Sequence, residues 1–311
     1  MTIWQAFKAG FGFLSVIPVG ITMEGIEALM KRLYMYPIIG FFLGILIGVI
    51  TFIAGIALPT PLTIIAVMFA VYGIIWFNHL DGVADMGDGM TAHGSLEKKR
   101  KALKDMSLGI GGVAFAVLLL LFLYAALSAL ENVTASVEAG VAAGLSTGVA
   151  AGSAIDLNVL FIGITGVLIP MLIDVNGSFA WYALIPAFLM ALTMICAETN
   201  AKQSMLTVST FGKSFSEGLG SMTIAGGTPK NFAIGIIFTM LVSVILLGLI
   251  GLAAFVVSTI AALIVLKFSN RHFEGLNGDG IGAANEVGRV TTIAAVAVIL
   301  FLMYGGMIWT L

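Results

Sequence analysis

Pro37-Ile38-Ile39-Gly40-Phe41-Phe42-Leu43-Gly44-Ile45-Leu46-Ile47-Gly48-Val49-Ile50-Thr51-Phe52-Ile53-Ala54-Gly55-Ile56-Ala57 is a run of twenty-one residues without a charge. A helix needs about 20 such residues to cross the ~30 Å hydrocarbon core of a bilayer. Pro59 and Pro61 mark a tight turn after it, and a second apolar run occupies residues 62–77. Comparable runs follow at 108–130, 137–155, 157–173, 179–197, 232–250, 252–268 and 291–311. Asn176-Gly177 marks a further turn before Phe179. The run at 137–155 is rich in Gly, Ala, Ser and Thr, a composition that suits close helix packing in a membrane and equally suits an exposed loop.

Composition agrees with that reading. Hydrophobic residues make up 60% of the 311, charged residues only 10%, and the mean hydropathy is +1.12. Those values describe an all-α, polytopic integral membrane bundle, a single membrane domain over 1–311, rather than soluble domains. A formal net charge of −2 gives no global basic field, so no nucleic-acid partner is expected. The lone cysteine, Cys196, sits in an apolar run and reads as packing. Residues 1–36 carry Lys8 amid apolar residues and lack a clean apolar core with a cleavage site. They read as an amphipathic or interfacial segment rather than a secretory signal. Small-residue helix faces permit a homo-oligomer without requiring one.

Basic loops stay on the cytoplasmic side. Lys31 and Arg32, the Lys98–Lys104 group, Lys202 with Lys213 and Lys230, and Lys267 with Arg271 and Arg289 share one side if an even number of spans separates each pair. Counting 137–155 as a span satisfies this. It predicts about nine crossings in the cell membrane, with the N-terminal part cytoplasmic and an acidic turn at 131–138 on the far side. Three polar connections, 78–107, 198–231 and 269–290, then gather on the cytoplasmic face.

The first of these holds His79-Leu80-Asp81-Gly82-Val83-Ala84-Asp85-Met86-Gly87-Asp88-Gly89. Asp81, Asp85 and Asp88 stand at i, i+4 and i+7, one face of a helix. Like charges so placed repel, and a divalent cation between them relieves the repulsion. Hard cations such as Mg²⁺ bind through a few carboxylates plus substrate phosphates. A polar loop without a ligand is the plainer alternative, but acids at a membrane boundary are costly. His79 can reach a phosphate or orient a carboxylate. Asp105 follows a basic helix in which Lys98, Lys101 and Lys104 fall near one face. A solvated face, a headgroup anchor and an anion site all fit that helix.

The third connection contains Asn277-Gly278-Asp279-Gly280-Ile281-Gly282, then Glu286 and Arg289. A glycine-rich turn entering a helix can present N–H groups to phosphate, though no Walker A lysine follows. Arg289 can contact substrate or pair with Glu286. Glu198, Asn200 and Lys202 close an apolar helix, and Glu217-Gly218-Leu219-Gly220 lies beyond. An acid, an amide and a base there suit substrate contact, and a terminal lysine equally suits a snorkelling anchor. The absence of a Cys/His cluster argues against zinc. Acids, bases and glycines at a membrane face fit Mg²⁺-assisted transfer of a phosphate-linked group.

At these residues the chain resembles the cobalamin synthase family, the adenosylcobinamide-GDP ribazoletransferases, and the likeness is archaeal-like. It runs through Phe13-Leu14-Ser15-Val16-Ile17-Pro18, Tyr36-Pro37-Ile38-Ile39-Gly40, the His79–Gly89 stretch, Lys104-Asp105-Met106-Ser107-Leu108-Gly109, Glu217–Gly220 and Asn277–Ala283, in order over nearly the whole chain. The acidic motif is specific; the N-terminal ones are weak alone. Bacterial members are shorter between the Asp105 helix and the Glu217 loop, and many have an arginine where this chain has Asn200 and Lys202. The resemblance implies the last step of corrinoid nucleotide-loop assembly. A hydroxyl of α-ribazole, or of its 5′-phosphate, attacks the phosphate nearest the cobinamide in adenosylcobinamide-GDP, and GMP leaves with Mg²⁺ required. It implies metal binding by Asp81, Asp85, Asp88 and Asp105, one of them a base for the hydroxyl. Asp279 and Glu286 would complete the metal site or hold a ribose. Substrate or phosphate contacts would come from His79, Lys104, Asn200, Lys202, Asn277 and Arg289.

Two other readings compete. A CDP-alcohol phosphotransferase also uses a membrane-face run of acids, but its pattern has an arginine where Asp85 stands. A cation transporter would carry acids within its spans, whereas these acids sit in connections.

Overall fold

A computed structural model describes residues 2–105, 107–146 and 181–304. Two short helices open it, α1 (Ile3–Phe13) and α2 (Met23–Met30). α1 starts in a capping box between Thr2 and Gln5, and α2 is capped by the Thr22 hydroxyl. α3 (Met35–Ala57) and α4 (Thr60–Ile75) follow, joined at Leu58-Pro59. Then come α5 (Asn78–Thr91), α6 (Leu96–Ala102) and α7 (Ile110–Ser146). A 3₁₀ turn at Trp181–Leu184 leads into α8 (Ile185–Phe211), followed by α9 (Leu219–Gly226), α10 (Pro229–Phe273) and α11 (Gly278–Tyr304).

α8 is the axis of the bundle. From Glu198 to Ser209 every residue is buried, polar and apolar alike. It is covered by α3, α10 and α11. α3 reaches it through a stripe of glycines that removes side chains from the contact. A Cβ at Gly40 would lie 2.6 Å from the Glu198 carbonyl oxygen, at Gly44 2.8 Å from Ile195 Cα, and at Gly48 3.0 Å from the Ala191 oxygen. The two backbones therefore run antiparallel and nearly touch.

α10 is two legs. Phe232, Thr239 and Ser243 meet Phe211, Gln203 and Asn200 in turn, so the first leg runs antiparallel to α8. Ser258 meets Ser204 and Leu266 packs near Gly212, so the second leg runs parallel to it. The chain reverses near Gly248, whose φ 61 and ψ −140 only glycine adopts readily. The expected runs 232–250 and 252–268 fall on these two legs.

Among the described residues four helices are long and apolar enough to cross a membrane: Met35–Ala57, Ile110–Ala139, Pro229–Phe273 and Gly278–Met303. Thr60–Ile75 and Asn78–Thr91 pass that test only together, bent by 93°. The bend turns on Trp76, a non-glycine residue at φ 65, and sets the acid-bearing α5 against the starts of α7 and α11. By this test the described residues give four spanning helices, or five with the bent pair, and α10 among them doubles back at Gly248; the nine crossings expected from the sequence are not shown by them. α8 is long enough but not apolar enough to join them, since it buries its polar residues in protein rather than lipid.

Two expected connections are helix instead. Residues 198–211 continue α8 without a break, and the expected turn at 131–138 lies inside α7. Charged residues suggest a loop when water is the only solvent considered; a protein interior that pairs them keeps the helix going. The expected span at 157–173, the second half of 137–155, the start of 179–197 and the end of 291–311 lie outside the described residues.

The polar segments do gather at one end. Leu276 N donates to the Lys213 carbonyl at 2.7 Å and Phe215 N to the Leu276 carbonyl at 3.3 Å. The Arg100 guanidinium donates to the Phe273 carbonyl at 2.7 and 3.0 Å, closing α10's C-terminus, and lies 4.6 Å over the Phe215 ring.

Gly44→Val places a side chain against the α8 backbone and should destabilise the fold by roughly 1–3 kcal/mol, as overpacking does. Gly73→Val, where an added Cβ meets nothing within 4 Å, should leave the melting temperature in detergent unchanged.

Candidate active site

α5 is amphipathic by its own sequence. Leu80, Val83 and Met86 are buried, while Asp81 is exposed and Asp85 and Asp88 are half-buried. Its glycines let neighbours in: a Cβ at Gly82 would lie 2.5 Å from the Asp279 carbonyl oxygen. This close approach of α5 to the start of α11 brings Asp279 to the acidic face, two parts of the chain nearly two hundred residues apart.

The three aspartates of α5 have different surroundings. Both Asp88 oxygens accept backbone N–H groups at the start of α7, from Gly109 and Gly112, each at 2.7 Å. Asp88 therefore caps a neighbouring helix, a favourable place for negative charge. Asp81 points to solvent. Asp85 lies between: burial first, then the repulsion of Asp279, Asp81 and Asp88, pushes its carboxyl up to about 7. Asp279 is oriented by Asn277, whose amide nitrogen donates to Oδ2 at 2.5 Å while its Oδ1 accepts from Gly280 N. Asn277 is thus the cap of α11. Lys104 is exposed and acts on Asp279 as a counter-charge. Asp105 is exposed, accepts from Ser107 N at 3.0 Å, and does not join the acids that act on Asp85.

Glu286, Arg289, Lys202 and Asn200 go elsewhere. All four are fully buried. Glu198 accepts from Lys202 Nζ at 3.0 Å, from Arg289 Nη2 at 3.3 Å, and from Arg289 Nε. Arg289 Nη1 lies 2.6 Å from Glu286 Oε1. Tyr72 donates to Glu286 Oε2 and Asn285 to Glu286 Oε1, both at 3.0 Å. Asn200 donates to Thr292 at 3.3 Å. The structure therefore separates Glu286 from Asp279 and turns it inward, where two acids and two bases neutralise each other. Buried charge is tolerated in that form. The pairing of Arg289 with Glu286 is the arrangement present, and Lys202 is an interior partner of Glu198, i to i+4 on one helix.

His79 joins the interior to the site. Asn285 Nδ2 spends its hydrogens on Glu286 and on His79 Nδ1, the latter at 3.2 Å. Burial, then the Lys202 and Arg289 cations, hold the imidazole neutral. Accepting at Nδ1 leaves the hydrogen on Nε2.

Behind Asp279 a cavity of about 240 Å³ opens between α1, α3, α5, α8, α9 and the start of α11, lined among others by Phe13, Tyr36, His79, Met205, Thr223 and Asp279. Tyr36 and Thr223 are not among the candidates read from the sequence. Neither hydroxyl stands out from its neighbours in sequence, and only the fold brings Thr223 of α9 beside Tyr36 at the start of α3. Leu219 and Gly220 of the Glu217–Gly220 motif also line it, while Glu217 is exposed.

Among the described residues no group of three or more His, Cys, Asp or Glu side chains is arranged to hold a metal ion. The donor set at the mouth is nonetheless all carboxylate oxygen, with like charges facing one another. That suits a hard cation held by a few carboxylates and completed by substrate phosphate. Asp81, Asp85 and Asp279 are the carboxylates that would hold it; both oxygens of Asp88 are already engaged by backbone.

Two outcomes test this division. Arg289→Ala leaves Glu198 and Glu286 short of a partner in the interior and should destabilise the fold by about 3–5 kcal/mol, read as a fall in detergent melting temperature. Asp85→Asn should do the reverse in chelator. Because the folded-state acid is raised, its ionisation penalty is full above pH 7 and fades as pH falls toward 4. The variant should melt higher than the parent at pH 8 and no higher at pH 4.

The family description cobalamin-5-phosphate synthase matches residues 6–156 and 160–297. A relative from Methanosarcina mazei, an adenosylcobinamide-GDP ribazoletransferase, is 46% identical over 98% of both chains. Relatives of the same name from Methanosarcina barkeri and Methanococcoides burtonii are 44% and 38% identical, each covering 98% of this chain and 98% and 97% of their own. No solved structure matches. With its acidic helix, its Asp279 turn and nearly its whole length matched, the chain belongs to the cobalamin-5-phosphate synthase family.

Proposed function

We propose that this chain transfers the cobinamide phosphate of adenosylcobinamide-GDP to a hydroxyl of α-ribazole or of α-ribazole 5′-phosphate, releasing GMP, with Mg²⁺. One observation carries the reading: Gly82, between Asp81 and Asp85 on α5, packs against the Asp279 backbone of α11, which sets the three carboxylates acting on one another with Lys104 as a counter-charge. The curated relatives' names supply the substrates.

The acceptor oxygen bonds to the phosphorus attached to cobinamide. The bond from that phosphorus to the bridging oxygen breaks, and GMP departs with the bridging oxygen. A cation held by Asp81, Asp85 and Asp279 would neutralise charge on the phosphoryl oxygens. The protein does the positioning. Asp88 pins α5 to α7, Asn277 aims Asp279, and Lys104 offers a positive charge to phosphate. His79 stays neutral and offers an N–H. A carboxylate of the cluster takes the hydroxyl proton. The site faces the cytoplasm in this reading, because Lys31, Arg32, the α6 cations, Lys213 and Lys230 lie in segments gathered at the same end. The cell membrane is the expected location, with a homo-oligomer allowed by the small-residue faces.

The test is GMP release by purified protein in detergent, given adenosylcobinamide-GDP, α-ribazole and Mg²⁺. Asp85→Asn should slow release by about 10²-fold or more, the scale of losing a charge-stabilising group. Chelation should abolish it, and Mg²⁺ restore it. No GMP from the parent protein refutes the reading, and CMP release from CDP-alcohols would replace it with the lipid-synthesis alternative.

A further inference from the structure

We infer that the cavity behind Asp279 is the pocket of the acceptor, and that it holds the benzimidazole nucleoside with its reacting hydroxyl toward Asp279. The inference rests on the reaction proposed above and assigns one of its two substrates to a place.

The cavity is a built site. Tyr36 is fully buried and lines it, and its hydroxyl has no hydrogen-bond partner among the described residues. Thr223 stands beside that hydroxyl outside hydrogen-bond geometry, and its own hydrogen goes to the Leu219 carbonyl at 2.9 Å. A buried hydroxyl left in this state is costly, and such groups mark places where a ligand completes the bonding. His79 supplies a second donor. Its Nδ1 is taken by Asn285, which leaves the Nε2 hydrogen for whatever enters.

The lining selects the occupant. Phe13, Met205, Leu219 and Ile281 give it an apolar wall, and the hydroxyls and imidazole give it a polar one. No lysine or arginine lines it, so a diphosphate has no counter-charge there. Lys104 acts on Asp279 without lining the cavity, which leaves the diphosphate to the open side. At about 240 Å³ the space falls below the ~300–1,000 Å³ typical of drug-sized ligands and excludes a corrin macrocycle. Three neutral ring systems remain, guanine, the adenine of the adenosyl group, and benzimidazole. Both purines carry donors and acceptors along their edges that the Phe13, Met205 and Ile281 wall would leave unpaired. Benzimidazole is apolar along that edge, and the ribose hydroxyls match Tyr36 and His79. The half-buried Asp279 then closes the end of the cavity where the acceptor meets the acids.

The experiment varies each substrate separately in initial-rate measurements on the full chain in detergent. Tyr36→Phe removes only the hydroxyl. It should raise the KM for α-ribazole by roughly five- to tenfold, the scale of one lost hydrogen bond, and leave that for adenosylcobinamide-GDP unchanged. Gly278→Val provides a second route. A Cβ there meets nothing within 4 Å, so the fold accepts it, yet Gly278 lines the cavity and the larger side chain narrows it. The same split should appear. Equilibrium dialysis with labelled α-ribazole, without the second substrate, should show weaker binding by both variants. If the parent turns over and both variants keep the parent's α-ribazole KM and binding, or raise the KM for the GDP substrate instead, the pocket assignment falls and the reaction stands. A parent that neither binds α-ribazole nor releases GMP overturns both.

Discussion

The Glu198 carboxylate, buried at the middle of the bundle and gripped by Arg289 and Lys202, is the interaction on which the rest of the structure depends. It ties α8 to α11 where neither helix has water to turn to. Leaving any one member unpaired would strand a charge, so the four groups Glu198, Lys202, Glu286 and Arg289 act as a unit. From that unit the bonding runs outward through Asn285 to His79 at the start of the acidic helix. The position of the site is therefore set by the interior, not by the loops around it.

The acidic helix works against its own stability. Three carboxylates face one side and glycines recur along it, so neither propensity nor electrostatics favours α5. What holds it is contact: its apolar face on α11, Gly82 against the Asp279 backbone, and Asp88 on the N–H groups of α7. The repulsion left at Asp85 is the kind of local instability that functional sites retain, and a bound cation would relieve it.

Much of this was legible in the residues. The apolar run at 37–57, the two legs of α10, the meeting of polar connections at one end, and the partnership of Asp279 with Asp81 and Asp85 all follow from spacing and charge. The errors share a cause. Glu198, Lys202, Glu286 and Arg289 read as loop or site residues because charge in a linear sequence suggests water. The expected turn at 131–138 failed likewise, since Glu131 and Glu138 sit within the continuous α7. Asp88 and Asn277 carry the right chemistry for a site and are used as caps. Tyr36 entered only as part of the Tyr36–Gly40 stretch and Thr223 not at all, because a single hydroxyl acquires meaning only from what packs around it.

The sequence by itself determined the solvent, the helical class and the acidic face of α5, because hydropathy and the 3.6-residue period act locally and leave a linear record. Only the tertiary structure decided which charges serve chemistry and which serve architecture. That choice depends on whether a carboxylate finds a buried cation, a helix N-terminus or another carboxylate beside it. Glu286 found Arg289, Asp88 found the start of α7, and Asp85 found Asp279.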